Sequence, residues 1–183
     1  MPYIADHKSK FADLDFNIDN QDQLRSKANG GNSILFSYPS SEESLYIAQA
    51  REHYRDIAGF IDVSQLLVQF IDEDGWEDFA EYYKEYSSTP DKVFKSSYAE
   101  DVDLFDLIIA EIKRVSESDK IPVLIRSGCL YGTGIENVNI MEHRDIMNLR
   151  HPLVLFYPSS VTDDNVLFLN FKPASKYRCI LVK

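Results

Sequence analysis

The stretch IPVLIRS, residues 121–127, decides the fold class. It opens with five residues that carry no polar side chain, a run of strand length that is typical of a strand buried on both faces of a parallel sheet. The preceding segment, DVDLFDLIIAEIKRV at 101–115, is apolar on much of its helical circumference and predicts a well-buried helix. A buried helix that leads into such a strand indicates an α/β sheet.

Further units of strand and helix lie on the N-terminal side of this stretch. SILFS at 33–37 predicts a strand, and SEESLYIAQAREHYRDIAG at 41–59 predicts a helix that stops at its glycine. FIDV at 60–63 predicts a second strand that runs directly into a helix. Further predictions are a helix marked by Trp76, Phe79, Tyr83 and Tyr86, a mobile surface loop at 87–100, and a helical segment at 135–149.

The C-terminal part has a different pattern. PLVLFY, VLFLNF and YRCILV, within 152–182, are separated by loops without a helix signal, and short loops favour antiparallel pairing. The predicted fold is a three-layer open α/β sheet with a parallel centre, antiparallel C-terminal strands and helices on both faces. We assign residues 33–183 to a single domain and residues 1–32 to an N-terminal appendage whose short helix docks through Phe11, Leu14 and Phe16.

Composition excludes several function classes. With 30 acidic and 19 basic residues the net charge is −11, and the basic residues are scattered, so we expect no direct binding to nucleic acid. An acidic mimic of DNA is a less favoured alternative. No apolar run reaches the roughly 18 residues of a membrane span. The start lacks a signal peptide, and the two cysteines, Cys129 and Cys179, have no metal-type spacing, which favours the cytoplasm.

Two similar corners interrupt the chain: LFSYPSS at 35–41 and LFYPSS at 155–160. In the first, Ser40 and Glu43 have the spacing of a capping box, which predicts that Ser40 caps the following helix. In the second no helix follows, and Ser159 and Ser160 are predicted to form a turn. Ser40→Ala should then cost about 1 kcal/mol and Ser159→Ala less than half of that.

Both corners and the RSGCLYG turn leave predicted parallel strands, so we expect them to meet at the carboxyl edge of the sheet, where α/β proteins place ligand crevices. This edge would present Tyr38, Arg126, Tyr131 and Tyr157. Aromatic residues and arginine are enriched in protein interfaces, which favours a partner surface. The alternative is a nucleotide- or small-ligand-binding domain, or a hydrolase, in which Arg126 holds a phosphate or carboxylate.

Signals for catalysis are weak. The glycines of 128–134 match neither the Walker spacing nor the dinucleotide fingerprint, so a glycine-softened turn is favoured over a phosphate loop. Cys129 with His143 is a weak candidate for a catalytic thiol, since a buried inert cysteine is more common. No spacing indicates a metal site, and we expect no cofactor.

The order of the segments resembles the BrxB family of the bacteriophage-exclusion (BREX) defence systems. The matching pieces are LRSKANGGNSILFSYPSSEE, FIDVSQLLVQFIDEDG, DLFDLIIAEIKRV, IPVLIRSGCLYG, HPLVLFYPSS and YRCILV, from about Leu24 to Val182. Each motif is short, and the weight lies in their collinear order. In the family, the Gly-x-Leu-Tyr segment is usually followed by Pro and then by Arg and His, whereas here Gly132 follows Tyr131 and that pair is missing.

The resemblance implies a cytoplasmic protein that takes part in phage restriction beside an ATPase, a methyltransferase and a phosphatase-like protein. It implies no catalytic residue. We therefore expect a non-enzymatic interaction or scaffold subunit of a BREX-type system, and we keep the ligand-binding domain or hydrolase as the alternative.

Overall fold

The computed structural model describes residues 2–96, 102–162 and 165–183, with side chains described from residue 6 onward. The helices are α1 Pro2–Asp19, α2 Gln21–Lys27, α3 Glu43–His53, α4 Val63–Asp74, α5 Trp76–Tyr86, α6 Asp91–Phe94, α7 Leu104–Glu117, α8 Asn137–Met141 and α9 Arg144–Met147. The strands are β1 Ser33–Tyr38, β2 Ala58–Asp62, β3 Ile121–Ile125, β4 Leu153–Val161, β5 Val166–Phe168, β6 Lys172–Ala174 and β7 Cys179–Val182. Single 3-10 turns lie at Ser40–Glu42 and Ser127–Leu130.

The central sheet has the strand order β2-β3-β4-β1-β7, and every pair along it is parallel. The IPVLI run is β3, all of it buried, between β2 and β4. Beyond the end of β1, the longer β4 continues and pairs with β5, which pairs with β6, both antiparallel. The predicted α/β sheet with a parallel centre and antiparallel strands near the C-terminus is therefore confirmed.

The direction of the last strand was predicted wrongly. β7 is parallel to β1, with Ser33 opposite Cys179. After β6 the chain does not form another hairpin but returns to the amino end of β1. There a Cβ on Gly31 would lie 1.9 Å from the Arg178 carbonyl oxygen, so only glycine permits this approach.

The sheet separates two hydrophobic clusters. In β1, Leu35 faces one of them, while Ile34 and Phe36 face the other. The cluster of Ile34 is covered by α1, α2 and α3, and the cluster of Leu35 by α4 to α9. This alternation follows from the two-residue period of a strand and produces the three layers.

The N-terminal segment is part of this packing. Phe11 and Leu14, on one side of the 18-residue helix α1, are buried against the sheet as predicted. Phe16, which was expected on the same side, is 56% exposed instead. Its position five residues after Phe11 places it off the i, i+3, i+4 stripe that contacts the sheet.

The remaining helical predictions hold in part. The helix at Trp76–Tyr86 is confirmed as α5, and the segment 135–149 contains two short helices, α8 and α9, rather than one. Of the loop expected at 87–100, the described part includes α6, whose Val93 and Phe94 are buried; residues 97–100 lie outside the described residues. No helix in the described part of the chain has the length and apolarity to cross a membrane.

Candidate functional site

The carboxyl ends of β3, β4 and β1 lie side by side, as the sequence predicted. The three segments that follow these strands therefore share one edge of the sheet. They are the 3-10 turn Ser127–Leu130 after β3, the Tyr-Pro corner after β1, and the continuation of β4 toward β5. The buried Ser127 hydroxyl fixes the first of them by donating to the Phe156 carbonyl at 2.7 Å.

The first corner does not form the predicted capping box. Pro39 is extended, Ser40–Glu42 form one 3-10 turn, and α3 begins at Glu43 without a side-chain cap. The Glu43 carboxylate instead accepts a hydrogen bond from the Tyr38 hydroxyl at 2.8 Å. Ser40 is left exposed to solvent. The box fails because a buried tyrosine, two residues before Ser40, holds the carboxylate that the box needs.

The second corner is not a turn. Ser159 and Ser160 belong to β4, and Ser159 lies opposite Phe168 of β5. The buried Ser159 hydroxyl lies 2.9 Å from the Ser37 hydroxyl, and Ser37 donates to the Ser159 carbonyl at 3.1 Å. The strand continues because β5 supplies an antiparallel partner.

Tyr38 and Tyr157 are not surface residues. Both are buried, which corrects their assignment to an exposed partner surface. Burial, followed by the charge of Glu43 and the hydrogen bond to it, raises the pKa of Tyr38 above its ordinary value. Burial, followed by the charge of Glu136, raises the pKa of Tyr157. The Tyr157 ring stacks on Phe168 with a centroid distance of 4.5 Å.

Arg126 stands at the surface but is already engaged. It adopts a left-handed conformation with φ +58°, directly after β3. Its side chain is 52% exposed, and its Nε lies 3.1 Å from an oxygen of Asp62, which is only 10% exposed. Asp62 also caps α4 by accepting from the Ser64 amide at 3.1 Å. Arg126 therefore joins the ends of β3 and β2, with part of its guanidinium still open to solvent.

Tyr131 is the predicted aromatic residue that remains exposed, and its ring contacts a neighbouring ring. The rings of Tyr131 and Phe171, 54% and 58% exposed, meet edge to face with centroids 5.4 Å apart. Phe171 was missed, because VLFLNF was assigned to a single strand. The strand ends at Phe168, and Leu169 and Asn170 turn with φ of +51° and +70°. The asparagine was the available signal, since it tolerates this region better than most residues.

Cys129 and His143 occupy different structural positions. Cys129 lies in the 3-10 turn, where burial raises its pKa to about 11, with Asp62 adding to the effect. A thiol with a raised pKa is a poor nucleophile. The His143 side chain caps α9 by accepting from the Asp145 amide at 3.3 Å. Among the described contacts of these two side chains, none joins one to the other.

The glycines after Tyr131 shape the turn that leads toward α8. Gly132 and Gly134 have φ of +86° and +79°, a region in which residues with a side chain are strained.

Within residues 2–96, 102–162 and 165–183, no group of three His, Cys, Asp or Glu side chains is placed to hold a metal ion.

Comparisons of this chain with protein-family models, with curated proteins and with solved structures each found no match.

Proposed function

We propose that this chain is a non-enzymatic interaction subunit of a BREX-type phage-defence system. The choice of this defence system comes from the collinear resemblance to the BrxB family from about Leu24 to Val182. The proposal includes the cytoplasm as the place of action, and the ATPase, the methyltransferase or the phosphatase-like protein of the same system as the partner.

The observation that carries the proposal is the exposed aromatic pair Tyr131–Phe171 at the carboxyl edge. Large aromatic side chains and arginine contribute most of the binding energy in typical protein interfaces. Arg126 precedes, and Tyr131 follows, the same 3-10 turn, so a charged group and an aromatic group flank one short segment. We propose that this segment and Phe171 contact the partner.

The chemistry of the edge supports binding more than catalysis. The Tyr38 hydroxyl is bound to Glu43, Arg126 is paired with Asp62, and the Cys129 thiol is disfavoured as a thiolate. The first two groups are held by a structural neighbour, and none of the three forms a nucleophile–base pair with another of them.

The test is capture of partners from cells that carry the whole operon. The tagged chain should retain at least one operon-encoded protein, and Tyr131→Ser with Phe171→Ser should reduce that capture about thirtyfold or more, the size of a typical hot-spot loss. Phage protection should fall in parallel, while the thermal midpoint stays close to that of the unaltered chain, because both rings are exposed.

Trp76→Ser is the matched control, since Trp76 is a 66% exposed aromatic residue on α5, outside the segment that is proposed to contact the partner. It should leave capture and protection unchanged. Full protection by the Tyr131→Ser, Phe171→Ser chain, or the absence of any captured operon protein, would overturn the proposal. Arg126→Ala is a weaker probe, because it also removes a partner of the largely buried Asp62.

A further inference from the structure

A crevice of about 390 Å³ opens at the carboxyl edge between β1 and β4. Its walls come from the ends of both strands, from α1, from the turn after β5 and from the residue after β7. The residues that line it are Lys10, Ser37, Pro39, Ser159, Ser160, Val161, Asn170 and Lys183. The two similar Tyr-Pro-Ser-Ser corners thus provide both sides of one cavity.

The position of this crevice in the topology is significant. β1 leads into α3, which covers one face of the sheet, whereas the neighbouring β4 leads into β5, which packs in the hydrophobic cluster of the other face. Two adjacent parallel strands whose continuations diverge to opposite faces leave an opening between their carboxyl ends. Open α/β sheets place their ligands at such a switch point.

The charge of the lining differs from that of the whole chain. The protein carries a net charge of −11, yet the side chains of the described residues that line the crevice include two ammonium groups and no carboxylate. Nearby, the Glu42 carboxylate is held by the His7 ring at 2.9 Å. The charged side chains that line the crevice are therefore cationic, unlike the protein as a whole, which favours an anion as its occupant.

Lys10 is fixed in this wall rather than free in solvent. Its ammonium donates to the Ser37 carbonyl at 3.0 Å and lies 5.5 Å from the centre of the Tyr46 ring. Burial lowers the pKa of Lys10, and the opposing effects of Glu42 and Asp6 are smaller. An ammonium group has three N–H donors, and the bond to the Ser37 carbonyl uses one of them. Lys10 therefore retains donors for an anion although it is partly desolvated.

The serines in the wall of the crevice are also held in place or positioned by the sheet. The Ser37 and Ser159 hydroxyls are buried and bound to each other, which makes that side rigid. Ser160 follows them in β4 and, by strand alternation, projects to the face that α1 covers. Its hydroxyl and the Asn170 amide are neutral donors of the kind that fix the orientation of a small ligand.

We propose that this crevice binds a small molecule through a phosphoryl or carboxyl group, with Lys10 as its principal charged partner and Lys183, Ser160 and Asn170 as further donors. The site does not depend on the proposed role in phage defence. A protein can bind a small anion here and contact its partner through Tyr131 and Phe171.

The experiment is a titration of the chain with inorganic phosphate and, separately, with succinate, followed by the amide NMR signals at constant ionic strength and neutral pH. Saturable shifts centred on residues 159–161 support the proposal. A response to phosphate alone identifies a phosphoryl ligand, and a response to succinate alone identifies a carboxylate ligand. If neither anion produces saturable shifts, the proposed site is overturned.

Lys10→Met should weaken the saturable binding roughly tenfold to a hundredfold, the effect of losing one charge-assisted hydrogen bond. Lys8→Met is the matched control, because Lys8 is exposed on the same helix, and it should bind like the unaltered chain. Equal weakening by both variants would indicate general electrostatics and overturn the role of Lys10.

Ser160→Asp is a second test that keeps Lys10 and its bond to Ser37. A carboxylate in the lining should abolish binding by repulsion, while Ser160→Ala should weaken it only slightly. Undiminished binding by Ser160→Asp would place the anion elsewhere on the protein and overturn the proposal.

Discussion

The two Tyr-Pro-Ser-Ser corners have nearly the same sequence and different structures. As far as the phenylalanine they match, because Phe36 of β1 lies opposite Phe156 of β4 in parallel register. The extra residue Ser37 in the first corner then places Tyr38 opposite Pro158. After the proline they diverge. The first corner enters a 3-10 turn and then α3, and its Ser40 is exposed; the second stays extended through Val161, and its Ser159 is buried.

The difference shows that the strand available to pair with a segment decides how the segment continues, even where two segments have nearly the same sequence. Beyond the second corner, β5 offers an antiparallel partner, and the Pro158 carbonyl accepts from the Leu169 amide at 2.8 Å. Beyond the first corner a helix follows directly in the chain. An extended strand needs a partner for its backbone groups, and only the second corner has one.

The largest expected effect tests the part in which the corners are alike. Phe36 and Phe156 are fully buried and stack with centroids 4.6 Å apart. Phe36→Ala and Phe156→Ala should each lower the free energy of unfolding by about 3–5 kcal/mol, because both create a cavity at the centre of the sheet. Urea unfolding measures both values.

The double variant should lose less than the sum of the two single losses, since residues in direct contact are not independent. A cost below about 1 kcal/mol for either residue would show that the two strands are not packed equivalently. The matched control is Phe16→Ala, which should be nearly neutral because Phe16 is exposed.

The sequence predicted those parts of the fold that depend on local pattern. The apolar run at 121–125 identified the buried strand β3. The apolar pattern of the preceding segment, 101–115, identified the helix α7, which buries Ile108 and Ile112. The sequence also predicted that the carboxyl ends of β3, β4 and β1 lie at the same edge of the sheet, because these strands were expected to be parallel. These features are encoded within single segments and the rules that join adjacent ones.

The rest depends on contacts between distant residues. The direction of β7 is set by its return to the amino end of β1, and the burial of Tyr38 by the layer that α1 and α3 form over it. At the site, Arg126 and Tyr131 were predicted at the correct edge, but the pairing of Arg126 with Asp62 was not. Lys10 gave no signal, because only the folded position of α1 brings it to the crevice.

The tyrosines of the two corners should give a pH-dependent effect of intermediate size. The pKa values of Tyr38 and Tyr157 are both raised by burial, above the ordinary value of about 10. Above that pH the unfolded chain loses the phenolic protons and the folded chain keeps them. Stability is therefore complete below about pH 10 and falls as the pH rises, by up to roughly 1.4 kcal/mol per pH unit for each such tyrosine.

Tyr38→Phe and Tyr157→Phe should each reduce this alkaline slope by the contribution of one tyrosine. Urea unfolding between about pH 9 and 11, on both sides of the ordinary tyrosine pKa, measures the slope. Tyr131→Phe is the control and should leave the slope unchanged, because its ring is exposed. If Tyr38→Phe leaves the slope unchanged, the Tyr38 hydroxyl of the unaltered protein ionises equally in the folded and unfolded chains. That result would contradict a buried Tyr38 hydroxyl that donates to Glu43.

The smallest effect separates the serines and reverses what the sequence alone predicted. Ser159→Ala removes one buried hydroxyl bond, while Ser37 can still donate to the Ser159 carbonyl, so the free energy of unfolding should fall by about 1 kcal/mol. Ser40→Ala alters an exposed side chain that does not cap α3, and it should cost less than about 0.5 kcal/mol. Denaturant unfolding of both variants at neutral pH resolves the difference. If Ser40→Ala is instead the costlier change, then Ser40 caps α3 in solution, Glu43 is not held by Tyr38, and the two corners differ for a reason other than the partner strand β5.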